Sequence, residues 1–221
     1  ALQQHYSSPD TCRQHLQELG IALSGIYHAC GFLTDEEIDE WERAAAHAVD
    51  FARRVGCRVL MIDGGSTDLP VSDESIKRVA DAAERVGKMA ADAGVICTWH
   101  QHWGTLFQYP DEFAALMEAT DPQCVKCTLD TAHLTLGDFN VSDTFVRYAD
   151  RLKYVHFKDL DSDRRFEDLG EGIVDLSEPA RILLETDFSG WVVNDLDYTD
   201  RDPADSSRNN YAFLEQLFAN T

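Results

Sequence analysis

From residue 20 onward, short runs of apolar and β-branched residues alternate with longer stretches in which apolar positions return every three or four residues. The short runs predict strands at 21–28, 57–64, 95–102, 125–133, 152–159 and 191–198. The longer stretches predict amphipathic helices. Start signals mark three of them: Thr34-Asp-Glu-Glu and Ser72-Asp-Glu-Ser in the manner of a capping box, and Ser142-Asp-Thr. Gly20, Gly56 and Gly94 each stand just before a strand, where a residue closing a helix belongs. The strands are near-continuously hydrophobic and joined by helical crossovers, so a parallel sheet covered on both faces follows.

An open doubly wound sheet and a closed barrel both satisfy that pattern. No GxGxxG or GxxxxGK[ST] loop follows any strand, and polar residues gather at the C-terminal ends of at least four strands. Both features favour an α/β fold of the (β/α)8 TIM-barrel type, which assembles its active site at that end of its strands. Six strands are visible where a full barrel has eight, and the segment 162–189 reads as a loop and one helix. The expectation is therefore one TIM-barrel domain over residues 1–221, beginning inside its first helix at roughly residues 8–20, with the first strand upstream and one further strand unaccounted for.

Composition narrows the function. The net charge is −21, from 26 Asp and 14 Glu against 5 Lys and 14 Arg, which disfavours a nucleic-acid partner because phosphate binding needs exposed cations. An acidic, Asp-rich surface suits a salt-adapted source or simply an acidic enzyme. No run of eighteen apolar residues and no charged leader with an apolar core is present, so a cytoplasmic protein without a membrane partner is expected. The six cysteines mostly lie in apolar runs as small buried hydrophobes, and Cys124-Val-Lys-Cys127 lacks the second pair of a zinc motif.

Four strands end in groups able to bind a metal: His100 with His102, Asp130 with His133, His156, and Asp195. Each has an ordinary reading alone: a hydrogen-bonded strand histidine, a cap for the turn after LDTAH, a rim carboxylate in NDLD. Together, imidazoles and carboxylates from separate strands desolvate or repel one another unless a cation organises them. Two nitrogens and two carboxylates suit Mn²⁺, Fe²⁺, Co²⁺ or Zn²⁺ better than an all-oxygen site would.

The stretch His100-Gln-His-Trp-Gly-Thr105, then Leu129-Asp-Thr-Ala-His133, Val155-His-Phe-Lys-Asp159, Leu169-Gly-Glu-Gly-Ile-Val-Asp175 and Gly190-Trp-Val-Val-Asn-Asp-Leu-Asp197 resembles the xylose-isomerase-like sugar phosphate isomerase/epimerase superfamily. Within it, the likeness runs to the inosose (2-keto-myo-inositol) dehydratases. The resemblance implies metal ligands at His100, Asp130, His156 and Asp195, with Mn²⁺ or Co²⁺ favoured and Zn²⁺, Fe²⁺ or Mg²⁺ compatible. Many members carry Glu where His100 stands, and the last ligand is usually Glu where this chain has the shorter Asp195; Asn194 and Asp197 are alternatives there.

The implied chemistry is enediolate formation on a small keto-sugar or keto-cyclitol. His133 or His102 would serve as base, and Lys158 would hold the enolate oxygen or protonate the leaving hydroxyl. Dehydration is preferred, with isomerisation or epimerisation next. A non-catalytic sugar-binding relative and a DNA-repair endonuclease of the same barrel are the other classes; the charge opposes the latter. A homo-oligomer is compatible, and Glu171 reads as a mobile loop carboxylate.

Overall fold

The structure is a computed structural model that describes residues 8–29, 35–65 and 70–221. It divides into two compact units, residues 1–99 with 114–126, and residues 100–113 with 127–221. The Thr34 start signal and Cys30 lie outside the described residues.

In the first unit, helix α1 (Pro9–Leu19) starts at Ser8, whose hydroxyl accepts from Thr11 N, and ends at Gly20 with φ of 68°, a left-handed angle that glycine adopts without strain. Strand β1 (Ile26–His28) leads to α2 (Asp35–Val55), β2 (Val59–Ile62), α3 (Asp73–Asp92) and β3 (Ile96–His100), whose last residue, His100, belongs to the second unit. The strands pair in parallel, Ile26 opposite Leu60 and Val59 opposite Ile96. The Ser72 capping box forms, with the Ser75 hydroxyl as the reciprocal partner. Helix α3 buries Val79, Ala80, Ala83, Val86, Gly87 and Ala90. A Cβ at Gly87 would stand 2.4 Å from the Cys124 carbonyl oxygen, so only glycine admits that approach.

The second unit holds β4 from Cys127 onward (Lys126–Asp130), α5 (Thr131–Leu136), α6 (Val141–Tyr148), β5 (Leu152–Phe157), the hairpin β6 (Asp159–Leu160) and β7 (Phe166–Glu167), α7 (Ser177–Glu185), β8 (Trp191–Asn194) and α8 (Pro203–Asn220). Helix α4 (Pro110–Ala119) begins in this unit. Strands β4, β5 and β8 run parallel, with Asp130 opposite His156 and His156 opposite Val193.

All six expected strands exist, but each is shorter than its apolar run. The run 21–28 narrows to Ile26–His28, and Ile21 is 55% exposed rather than buried. The run 125–133 stops at Asp130 because that residue caps a helix occupying 131–136. Helix α6 is capped by Asn140, whose side chain accepts from Asp143 N, two residues ahead of the expected Ser142. The segment read as loop and helix at 162–189 also supplies β7, half of an antiparallel hairpin pairing Asp159 with Glu167. Cys12, Cys57, Cys97, Cys124 and Cys127 are free thiols, and burial pushes Cys97 and Cys127 up to about 12. Among the described residues, no helix is long and apolar enough to cross a membrane.

Candidate metal and catalytic site

Asp130 does two jobs with two oxygens. Its Oδ1 caps α5, accepting from Ala132 N at 3.0 Å and His133 N at 2.9 Å. Its Oδ2 is buried and takes part in no hydrogen bond. Burial alone would raise the carboxyl, but His133, the Lys158 ammonium and His156 hold it well below the usual carboxylate range.

The parallel register brings His156 beside it, Nδ1 standing 3.4 Å from Asp130 Oδ2 and 3.5 Å from Asp195 Oδ2. His100, at the end of β3, has Nε2 4.0 Å from the same Oδ2, and its ring centre lies 4.9 Å from that of His156. Burial, reinforced by His156, drives the His100 pKa well below its ordinary value, so the ring is a neutral lone-pair donor. One ligand atom each from His100, Asp130 and His156 lies within 4.8 Å of the other two.

A buried polar atom without a partner costs about 1–3 kcal/mol. His156 Nδ1 and Asp130 Oδ2 each lack a hydrogen bond and face each other at 3.4 Å, with the Lys158 ammonium also 3.4 Å from that oxygen. A divalent cation would satisfy both, and a set of imidazoles with a carboxylate suits a first-row transition ion. The residues present therefore fit a metal. Asp195 lies outside this compact trio and half-exposed, its Oδ2 shared between His156 and Lys158.

Lys158 is the second centre of charge. Its ammonium is 2% exposed and stands 3.4 Å from Asp130 Oδ2, 2.9 Å from Asp195 Oδ2 and 2.7 Å from Asp197 Oδ2. Burial disfavours its charge, but Asp130 and Asp195 outweigh that cost and hold its pKa above the ordinary lysine value. It is a fixed cation and cannot be a base at neutral pH. Three carboxylates solvate the ammonium in place of water. The Thr131 hydroxyl fixes the backbone there, donating to Lys158 O at 2.6 Å and accepting from Lys158 N at 2.9 Å.

Two histidines complete the site. His133 is buried, and burial lowers its pKa to about 4 against the pull of Asp130. Its Nε2 lies 3.2 Å from Lys158 Nζ and accepts from it. The His102 ring packs on it with centres 3.7 Å apart. His102 Nδ1 stands 2.7 Å from Trp103 O, so this nitrogen carries the proton and Nε2 is left as the acceptor.

Sequence reasoning missed the supports. Asp159 is buried and accepts from Gly170 N, Gly172 N and Val174 N at 3.0, 3.1 and 3.0 Å, folding the 169–175 loop around one carboxylate. Glu171 is paired with Arg201 at 2.5 Å, which also reaches buried Asp168, so it is an anchored carboxylate. Asn194 turns to Asn210, and Asp197 to Lys158. The glycines flanking Glu171 were the available signal: a Cβ at Gly172 would lie 2.3 Å from Asp159 Oδ1.

Among similar proteins, the inosose dehydratase of Clostridium beijerinckii is 28% identical over 218 residues, covering 85% of this chain and 72% of the relative. Two solved structures share the fold. The IolI protein with a bound zinc atom has a TM-score of 0.81 at 16% identity, covering 96% of this chain and 82% of that one. The D-allulose 3-epimerase from Methylomonas sp. in complex with D-allulose has a TM-score of 0.76 at 21% identity, covering 93% and 80%. The family model for the xylose isomerase-like TIM barrel matches residues 2–217. With nearly the whole chain matched, this protein belongs to the xylose isomerase-like TIM barrel family.

Proposed function

We propose that this protein is a divalent-metal-dependent enzyme that forms an enediolate from a keto-sugar or keto-cyclitol and dehydrates it, as an inosose dehydratase does. The observation that carries the reading is the convergence of buried His100, Asp130 and His156 beside a buried, fully charged Lys158. The likeness to an inosose dehydratase over 85% of the chain supports the choice of reaction.

His100, Asp130 and His156 would hold the ion, with Asp195 as the fourth ligand. Bound there, a cation such as Mn²⁺ or Co²⁺ supplies Lewis-acid polarisation of a ketone. His102 Nε2 takes the proton from the carbon next to that ketone, because its Nδ1 is tied to Trp103 O and its lone pair is free of Lys158. His133, neutral and packed against His102, orients that ring. Lys158, a fixed cation, steadies the developing oxyanion, and His102 passes the abstracted proton to the departing hydroxyl, so a C–H and a C–O bond break, a C=C bond forms, and water leaves with no change in redox state.

The test is proton/deuterium exchange of keto-inositols, ketohexoses and their phosphates in D₂O, with protein stripped by chelator and reloaded with Mn²⁺ or Co²⁺. Exchange and water loss should appear on reloading and vanish on stripping. Exchange without water loss would replace dehydration by epimerisation or isomerisation. No bound metal and no exchange with any ketone would overturn the enzyme reading.

A further inference from the structure

Immediately beyond the site, the second unit carries a cavity of about 950 Å³, near the upper end of the roughly 300–1,000 Å³ typical of ligand pockets. Its walls are the chain neighbours of site residues. Trp103 follows His102, Leu136 is one helical turn after His133, and Tyr198 follows Asp197. Phe166 is shared, its ring centre 5.2 Å from Lys158 Nζ and 5.7 Å from the His133 ring centre. Phe166 thus borders both the Lys158–His133 pair and this cavity.

The lining is aromatic and polar together. Trp103, Tyr109 and Tyr198 expose 47%, 46% and 61% of their surface, large values for rings on a folded protein. Between them stand the carboxylates Asp138, Asp161, Glu167 and Asp200. The two cations, Arg164 and Arg165, are already engaged: Arg164 donates to Thr135 O at 2.7 Å, Leu136 O at 2.9 Å and Asp138 at 3.1 Å, and Arg165 pairs with Asp161 and Asp163. Phosphate recognition needs uncommitted Arg or Lys donors, and the lining offers none: Asp138 and Asp161 pair with the two guanidiniums, Asp200 accepts from the Tyr198 hydroxyl, and two carboxylates in excess of the cations repel an anion. An acyl chain would find hydrogen-bonding groups it could not use. Rings with apolar C–H faces and hydroxyl edges match both parts of the lining.

We infer that this cavity is a binding subsite for a second, uncharged polyhydroxylated ring, so that the substrate is a keto-sugar or keto-cyclitol bearing a glycosyl group rather than a sugar phosphate. This rests on the enediolate reading for the reacting ring and adds what is attached to it. Trp103 and Tyr198 supply stacking faces, and the carboxylates accept from the hydroxyls.

The experiment uses the Mn²⁺-loaded protein and has two arms. In the first, exchange in D₂O is compared for one keto ring with and without a glucosyl substituent, and for its phosphate. The glucosylated ring should show kcat/KM about tenfold or more above the bare ring, carried mainly by KM, and the phosphate should fall below both. Tyr198→Ala and Tyr109→Ala should reduce the ratio of glucosylated to bare ring towards one. A ratio of one in the native protein, or a phosphate preferred over the glucosylated ring, would overturn the subsite. The second arm needs no turnover: maltose titrated into the protein should change tryptophan fluorescence, with the change lost in Trp103→Phe, and glucose 6-phosphate should produce none. A silent titration with maltose overturns the subsite even where exchange succeeds; a maltose response without exchange on any ketone leaves the subsite standing and removes the enediolate reading.

Discussion

Both units of the molecule end parallel strands in acidic and imidazole groups, yet they use them differently. In the first, Asp63 follows β2 and is consumed locally: its carboxylate accepts from the Tyr27 hydroxyl and from Gly65 N. His28 stacks on Trp41 with ring centres 6.0 Å apart. In the second, Asp130 gives one oxygen to its own helix and keeps the other turned to His156, His100 and Lys158. The same residue types therefore make a turn in one unit and a site in the other. What separates them is whether the second oxygen has a donor of its own.

The comparison can be broken most severely at Asp130. Asp130→Asn keeps an oxygen for the helix cap but removes the charge; turnover should fall about 10³-fold or more with metal uptake lost, on the scale of general catalytic groups. Asp63→Asn should leave the bound-metal stoichiometry unchanged when both variants are assayed by metal analysis. Equal metal loss in the two would erase the distinction drawn between the units. Lys158→Met should lower kcat by about 10²-fold while the metal content holds, since its ammonium acts on oxygen rather than as a ligand.

The glycines offer a smaller, structural comparison. Gly87→Ala in the first unit drives a Cβ into the Cys124 backbone, and Gly172→Ala in the second drives one into Asp159 and Leu160 O. Each should cost about 1–3 kcal/mol in denaturant unfolding, but only Gly172→Ala should also impair turnover. A Gly172→Ala variant with full activity would detach the 169–175 loop from the site.

The last effect appears only in acid. His133 titrates near 4 when folded and near 6.5 when unfolded, so the unfolded chain binds the proton first and stability falls as pH drops from about 6.5 towards 4. For the metal-free protein the loss from this residue is roughly 3 kcal/mol at most. Thermal melts of His133→Gln against the native protein should converge across that window; a constant gap would mean that the ring is not held neutral.

Much of this was legible in the chain. The parallel α/β pattern and the strand-end groups follow from apolar runs that close on His or Asp, and His100, Asp130 and His156 come together because register aligns strand ends. Asp195 was the weakest expectation, and it stands apart from the compact trio, held by Lys158. Two elements left no periodic trace. Helix α5 has six residues, under two turns, and the hairpin strands have two residues each, below the length at which alternation can be read. The burial of Lys158 left no trace in its own segment because its solvating carboxylates, Asp130, Asp195 and Asp197, come from two other regions of the chain.

Helix α5 is too short to persist alone, since a helix of fewer than about twelve residues is marginal in water. Its first amides are fastened to Asp130 Oδ1, and its last carbonyls, Thr135 O and Leu136 O, to the guanidinium of Arg164. A peptide segment clamped at both ends opens only when a clamp lets go, so the hydrogen-exchange lifetimes of the Ala132 and His133 amides become a clock for the Asp130 carboxylate. An ion drawing on one oxygen of that carboxylate would change the grip of the other, and the change would be read in minutes or hours at two backbone protons, without any substrate being turned over.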